Sequence, residues 1–93
     1  MPKYLIERKN SDAGKMSPAE LRQISQTSNS VLRDMQLGGI TIQWVHRYVT
    51  DDAINCVYIA PNAQAVREHA RCGGFPADTI SEGRTVIDPT TGE

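Results

Sequence analysis

The side chains best suited to chemistry in this chain are two histidines and two cysteines, His46, Cys56, His69 and Cys72. Imidazole and thiolate together suit nickel, zinc or copper better than magnesium or calcium. His69 and Cys72 are three residues apart in a predicted helix, close enough to share a ligand. The chain has no CxxC, no HExxH, no phosphate-binding glycine loop and no nucleophile elbow. The donor set therefore favours a transition-metal ion over a recognisable reaction.

Each of these donors also has an ordinary structural interpretation. His46 could be a strand histidine that forms hydrogen bonds in an interface. Cys56 could be a small buried hydrophobe, the commonest role of a free cysteine. His69 could bond a strand residue from its helix without any metal, and Cys72 could be a tolerated surface thiol. Residue types alone leave these alternatives open.

The segment 40–60 contains two of these donors, His46 and Cys56. Its pattern predicts two β-strands joined by a tight turn, and these strands would position both side chains. Strand side chains alternate between the two faces of a sheet. If Asp51 and Asp52 form a two-residue loop, His46 pairs with Val57 and Val45 with Tyr58. His46 and Cys56 then lie on opposite faces, so one chain could use both for one metal only with a longer turn or a bulge. One predicted face comprises Val45, Val49, Ile54, Cys56 and Tyr58, with Arg47 near its edge. The other predicted face comprises Trp44, His46, Tyr48, Val57 and Ile59.

The remaining elements follow from local patterns. A strand is expected over 3–8, with Tyr4, Ile6 and Arg8 on one side. Ser17-Pro18-Ala19-Glu20 predicts a capping box that starts a helix ending at Gly38-Gly39. Asn62 is the expected N-cap of a second helix that ends at Gly73-Gly74. A last strand over 80–87 and a polar tail over 88–93 complete the chain. The apolar stripe of the first helix comprises Leu21, Ile24, Ser28, Val31, Leu32 and Met35, and the inner side of the second comprises Ala63, Val66, His69 and Ala70.

This order, β-α-β-β-α-β, predicts an α+β fold of the ferredoxin-like type. Its four-stranded antiparallel sheet carries both helices on one face, and the other face would be bare in a monomer. That face would be substantially apolar, although a sheet face that meets water should be polar. We therefore expect a homodimer that packs sheet against sheet as a dimeric α/β barrel.

Composition narrows the class of protein further. The chain has 93 residues, 39% of them hydrophobic, and a formal net charge of -1. We expect one domain, 1–93, with no nucleic-acid partner and no membrane partner. There is no long apolar run, and the charged N-terminal segment is not typical of a signal peptide. We therefore expect a cytoplasmic protein with free thiols.

Six short segments together resemble a family of small bacterial proteins: YLIER, WVHRYVTDD, CVYIAP, REHAR, GFPAD and VIDPTT. The family was formerly catalogued as a domain of unknown function and is associated with nickel binding. The resemblance runs from Tyr4 to Thr91 and implies a dimeric ferredoxin-like protein with a metal-binding or metal-responsive role. By position it implies His46, Cys56 and His69 as candidate ligands. The chain departs from the family at Ile59, where an acidic residue is usual, and Cys72 has no counterpart.

The leading hypothesis is a protein that binds Ni²⁺, with Zn²⁺ or Cu²⁺ as alternatives, for sequestration, delivery or sensing. The first alternative is a small cofactor-free enzyme, monooxygenase-like or isomerase-like. There His46 would be the base in the cavity of a dimeric barrel, Trp44 and Tyr48 would shape that cavity, and Arg84 or Arg47 would hold an anion. The second alternative is a dimeric interaction module. A soft-metal site needs the thiol, whereas an isomerising site does not, so the pairing of His with Cys separates these functions.

Overall fold

A computed structural model of the chain describes all 93 residues. They form one four-stranded antiparallel sheet in the order β2-β3-β1-β4, together with two α-helices. Short 3₁₀ helices occur at Ala13–Lys15 and Pro89–Gly92. The α+β class and the element order are as predicted. The elements are β1 (Lys3–Lys9), α1 (Pro18–Leu37), β2 (Gln43–Val49), β3 (Ala53–Ile59), α2 (Ala63–Gly73) and β4 (Thr79–Gly83).

Both helices begin at the predicted caps. The Ser17 hydroxyl accepts a hydrogen bond from the Glu20 amide at 3.1 Å, and the Glu20 carboxylate accepts from the Ser17 amide at 3.2 Å. The Asn62 side chain accepts from the Ala65 amide at 2.9 Å. These bonds satisfy amides that the first turn of a helix cannot pair internally. Gly74, with φ 68°, ends α2 in the left-handed conformation that glycine tolerates best.

The core lies between the helices and one face of the sheet. β1 contributes Tyr4 and Ile6, and β3 contributes Ile54 and Tyr58. The helices cover this face because their apolar stripes have no other surface to bury. Other buried members of the core are Ala13, Leu32, Met35, Ile42, Cys56, Ala60, Ala65 and Val66. The opposite face, which we call the open face, carries no helix.

The hairpin keeps the predicted loop but contains one bulge. The Thr50 amide bonds the Ala53 carbonyl at 2.9 Å, and His46 pairs with Val57, as a two-residue loop requires. The register then shifts between Trp44 and His46, so that Trp44, not Val45, pairs with Tyr58. The predicted faces of Trp44 and Val45 were therefore wrong. Because a bulge adds one residue to a strand, Trp44 turns to the helix side and Val45 is left 43% exposed.

The last strand is shorter than predicted. It pairs with β1 only over Thr79–Gly83, and the predicted continuation to 87 is absent. β1 begins at Lys3, which pairs with Gly83, and Pro2 before it has no backbone N–H to donate to a longer strand. Val86 and Ile87 are consequently 73% and 77% exposed. The tail is exposed, as expected, but Asp88 caps a short 3₁₀ turn within it.

Candidate functional site

His46 lies on the open face of the sheet, where β2 forms an edge. Its side chain is exposed, and its ring lies edge-on to the ring of Tyr48 with the centroids 5.0 Å apart. The strand order places Val57 and then Leu5 beside it along the same row. The next row runs through Tyr48, Asn55 and Glu7. Glu7 is two strands away, about 10 Å across the sheet, so one chain does not bring this carboxylate to His46.

Cys56 lies on the opposite, helix-covered face and is 1% exposed. Its sulfur accepts a hydrogen bond from Nη1 of Arg8, 2.6 Å away. Arg8 is itself only 3% exposed, and its Nε donates to the Pro76 carbonyl at 2.6 Å. The sulfur is thus already engaged by a cationic donor.

His69 lies on the same covered side, on the inner face of α2. It is fully buried, and its Nε2 is 3.2 Å from the Ser28 hydroxyl on α1. Its ring is stacked on Phe75 at a centroid distance of 5.6 Å and tilted against Tyr58 at 5.1 Å. Burial, together with the positive charges of Arg8 and Arg47, lowers the pKa of His69 to about 4. A hydrogen bond that His69 donates to the Ser28 backbone opposes this shift of the pKa. The imidazole is therefore neutral near pH 7.

Arg47 completes this group from β2, where it pairs with Cys56. Its Nη2 lies 3.4 Å from the Ser28 hydroxyl, and its guanidinium lies over the Trp44 ring at 4.5 Å from the centroid. The bulge makes this possible, because it places Trp44 on the same side as Arg47. We call the resulting set the arginine cluster: Arg8, Ser28, Arg47, Cys56, Tyr58, His69 and Phe75.

The arginine cluster contains no carboxylate. The three ion pairs of the molecule join Lys15 to Asp12, Arg71 to Glu68 and Arg84 to Glu82, all on the surface. Several buried polar atoms in and beside the cluster lack a hydrogen-bond partner, although buried polar groups are nearly always paired. These atoms are Arg8 Nη2, Arg47 Nε, His69 Nδ1, Tyr58 OH and Trp44 Nε1.

The three predicted metal ligands therefore do not converge. The structure brings Cys56 and His69 to one side of the sheet and leaves His46 on the other. The bulge lies before His46 and does not move it to the side of Cys56. The chain contains no group of three or more His, Cys, Asp or Glu side chains arranged to hold a metal ion. Cys72 is exposed near Glu68 at the end of α2, 3.6 Å from the carboxylate.

The enzyme alternative required His46, Trp44 and an arginine around one cavity. A shallow cavity of about 320 Å³ does exist on the open face. Its polar lining comes from Glu7, Tyr48, Asn55 and two residues of β4, but not from His46. Trp44 and Arg47 face the helices, and Arg84 is exposed and paired with Glu82 at 3.0 Å. Within one chain, these groups do not surround a common space.

Sequence reasoning missed the arginine cluster. The alternation of β1 did place Arg8 beside Tyr4 and Ile6, and an arginine in phase with two core residues was the available indication of burial. Ser28 in the apolar stripe of α1 was a second. For Arg47 the alternation of β2 indicated the face of Cys56, but its contact with Trp44 depends on the bulge.

The fold defines a small α+β domain with one covered and one open sheet face. The chain belongs to the family described as nickel responsive protein SCO4226-like, whose model matches residues 4–82. This confirms the resemblance found in the sequence. The fold is similar to the crystal structure of SCO4226 from Streptomyces coelicolor A3(2), with a TM-score of 0.75 and 18% sequence identity, over 91% of this chain and 99% of that one. At this identity the likeness concerns the fold alone. The comparison with curated proteins gave no match.

Neither helix is long and apolar enough to cross a membrane.

Proposed function

We propose that this chain binds Ni²⁺, or a similar divalent ion such as Zn²⁺ or Cu²⁺, in sequestration, delivery or sensing. The observation that carries the proposal is the family match over residues 4–82, in a family described as nickel responsive. The donor chemistry of the chain agrees with it, since imidazole suits nickel.

His46 is the candidate ligand that best fits an incoming cation. Its imidazole is exposed on the open face, and the arginine cluster lies on the other side of the sheet. A bound metal would act there as a Lewis acid held by imidazole nitrogen. Because no second strong donor of the same chain lies beside His46, the remaining ligands would come from water or from another copy of the chain.

Cys56 and His69 fit a cation poorly in this arrangement. Arg8 donates to the Cys56 sulfur, and Ser28 occupies Nε2 of His69. Both Arg8 and Arg47 oppose positive charge at His69. Metal binding at this pair would require the Arg8 guanidinium to move away from the Cys56 sulfur. Cys56 and His69 stay predicted ligands, and the nickel titration tests them.

We also propose that the protein is a homodimer joined through the open face, with the ferredoxin-like domains forming a dimeric α/β barrel. The support is apolar exposure on that face, where Leu5 is 50% and Tyr48 64% exposed beside half-buried Val57 and Ile59. Such a face favours association.

Calorimetric titration of nickel into tag-free, metal-stripped protein tests the metal proposal. The variants are His46→Ala, Cys56→Ser and His69→Ala, with Cys72→Ser as the matched control for an exposed soft donor. We expect His46→Ala to remove the main binding event, and Cys72→Ser to bind like the wild type.

The same titration separates the alternative ligand sets. A site shared by His46 and Cys56 predicts that both variants abolish the same transition. Separate sites on the two faces predict that each variant removes part of the stoichiometry. If all three variants bind nickel like the wild type, the ligand assignment fails, and if the wild type binds none, nickel binding itself fails.

A further inference from the structure

We propose that the arginine cluster is a binding site for a small oxyanion, either a carboxylate or an inorganic oxyanion, held between the sheet and the helices beneath Phe75. This inference is independent of nickel binding, because the cluster lies on the helix-covered side of the sheet and His46 on the other.

Charge is the first ground for the proposal. Arg8 is 97% removed from solvent and Arg47 is half-buried, yet neither is paired with a carboxylate. An uncompensated charge in the interior is costly, whereas a guanidinium paired with an oxyanion through charge-assisted hydrogen bonds is stabilised. The cluster therefore lacks negative charge, and an anion would supply it.

Hydrogen bonding is the second and independent ground. Arg47 can only donate, so the Ser28 oxygen accepts from it. The hydroxyl keeps a second lone pair and its proton, so its bond with Nε2 of His69 can run in either direction. Nδ1 of His69 has no hydrogen-bond partner, whichever ring nitrogen carries the proton. Arg8 Nη2 and Arg47 Nε are donors without acceptors, and the Tyr58 hydroxyl can donate as well. The Arg8 and Arg47 nitrogens without a partner can only donate, and an oxyanion has the acceptors that they lack.

Phe75 covers the cluster from outside. Its ring lies 5.4 Å from the Arg8 guanidinium carbon and is stacked on His69. The segment that carries it begins at Gly74, in the left-handed conformation, and is tied down at Asp78, whose amide bonds the Glu7 carbonyl at 3.1 Å. Phe75 is half-buried and belongs to no helix or strand, so an anion would reach the arginines by displacing this ring.

The test compares anions in thermal unfolding of the full chain at fixed ionic strength. Acetate probes the carboxylate class, inorganic phosphate probes the inorganic class, and chloride is the reference. At about ten times its Kd, a bound anion should raise Tm by about 5–10 °C over chloride. Whichever of the two produces the shift identifies the class of ligand.

Arg8→Met removes the buried charge while keeping the length of the side chain, and Arg22→Met removes an exposed arginine of α1 as the matched control. We expect the anion-specific shift to vanish in Arg8→Met and to persist in Arg22→Met. The proposal is overturned if neither anion exceeds chloride, as hydration by water alone would give, or if the shift survives in Arg8→Met.

A second measurement does not depend on the variant folding. In the wild-type protein, the side-chain Nε–H resonances of Arg8 and Arg47 should move on titration with the active anion, while that of Arg22 stays fixed. Unmoved Arg8 and Arg47 resonances at saturating anion would overturn the assignment.

Discussion

Acidification should destabilise this protein through His69 before its carboxylates titrate. The imidazole is fully buried, and burial together with Arg8 and Arg47 lowers its pKa from 6.5 to about 4. In the unfolded chain the pKa returns to its ordinary value. As pH falls below about 6.5, His69 therefore binds a proton in the unfolded state but not in the folded state. The free energy of unfolding decreases until the pH reaches the pKa of the folded state.

The magnitude follows from the two pKa values. Between about pH 7 and about pH 4.5, a group with pKa 6.5 unfolded and about 4 folded removes roughly 2.5 kcal/mol of stability. For a domain of this size, that corresponds to a fall in Tm of roughly 10–20 °C. Glu68 and Asp88 also have lowered pKa values, through hydrogen bonds with Arg71 and with Thr90. Exposed carboxylates titrate mainly below about pH 4.5, so the range above that value reports on His69.

Urea unfolding at a series of pH values is the assay, in chloride buffers without oxyanions. His69→Gln keeps a polar partner for Ser28 and has no proton to take up, so its stability should be nearly flat over this range. His46→Gln, which removes the exposed histidine, should keep the wild-type slope. The reasoning is refuted if His69→Gln loses stability with acid as steeply as the wild type does.

Three further outcomes are expected. Ser17→Ala should lower the free energy of unfolding in urea by about 1 kcal/mol, because the capping box loses a hydroxyl acceptor. The control Ser30→Ala, in the exposed middle of α1, should lower it little, and equal losses in the two variants would contradict the role of the cap. Light scattering of the wild type should give about twice 10.3 kDa. Leu5→Lys should shift this mass toward that of a monomer, whereas Leu37→Lys, at the exposed end of α1, should not. A monomeric wild type would contradict the proposed dimer. Gly73→Ala should destabilise the fold or displace Phe75, because the Cβ of the new alanine would collide with the Phe75 ring. An unchanged Tm together with unchanged Phe75 resonances would contradict that contact.

The helix starts, the hairpin loop and the order of elements could be predicted because local chemistry decides them. A capping box needs only four consecutive residues, and a two-residue loop follows from Asp51-Asp52 and the alternation around it. The bulge at Val45 could not be predicted in this way, since no glycine marks it and the packing of Trp44 against the core is a long-range contact. The end of β4 likewise depends on where β1 begins, because the two strands pair over a long sequence separation. The apolar residues at 86–87 do not indicate where that pairing ends.

The candidate ligands were predicted from residue type, and type does not fix the electrostatic surroundings. His46 and His69 are chemically identical in the sequence, yet one lies on the open face and the other lies among two arginines without a carboxylate. The guanidinium groups of Arg8 and Arg47 oppose positive charge at His69, whereas His46 lies on the other side of the sheet from them. Cys56, which pairs with Arg47 and accepts from Arg8, belongs electrostatically to the second environment. Under the two proposals a metal ion binds on one face of the sheet and an anion on the other. Nickel and oxyanion titrations should then respond to different substitutions, His46→Ala in one case and Arg8→Met in the other.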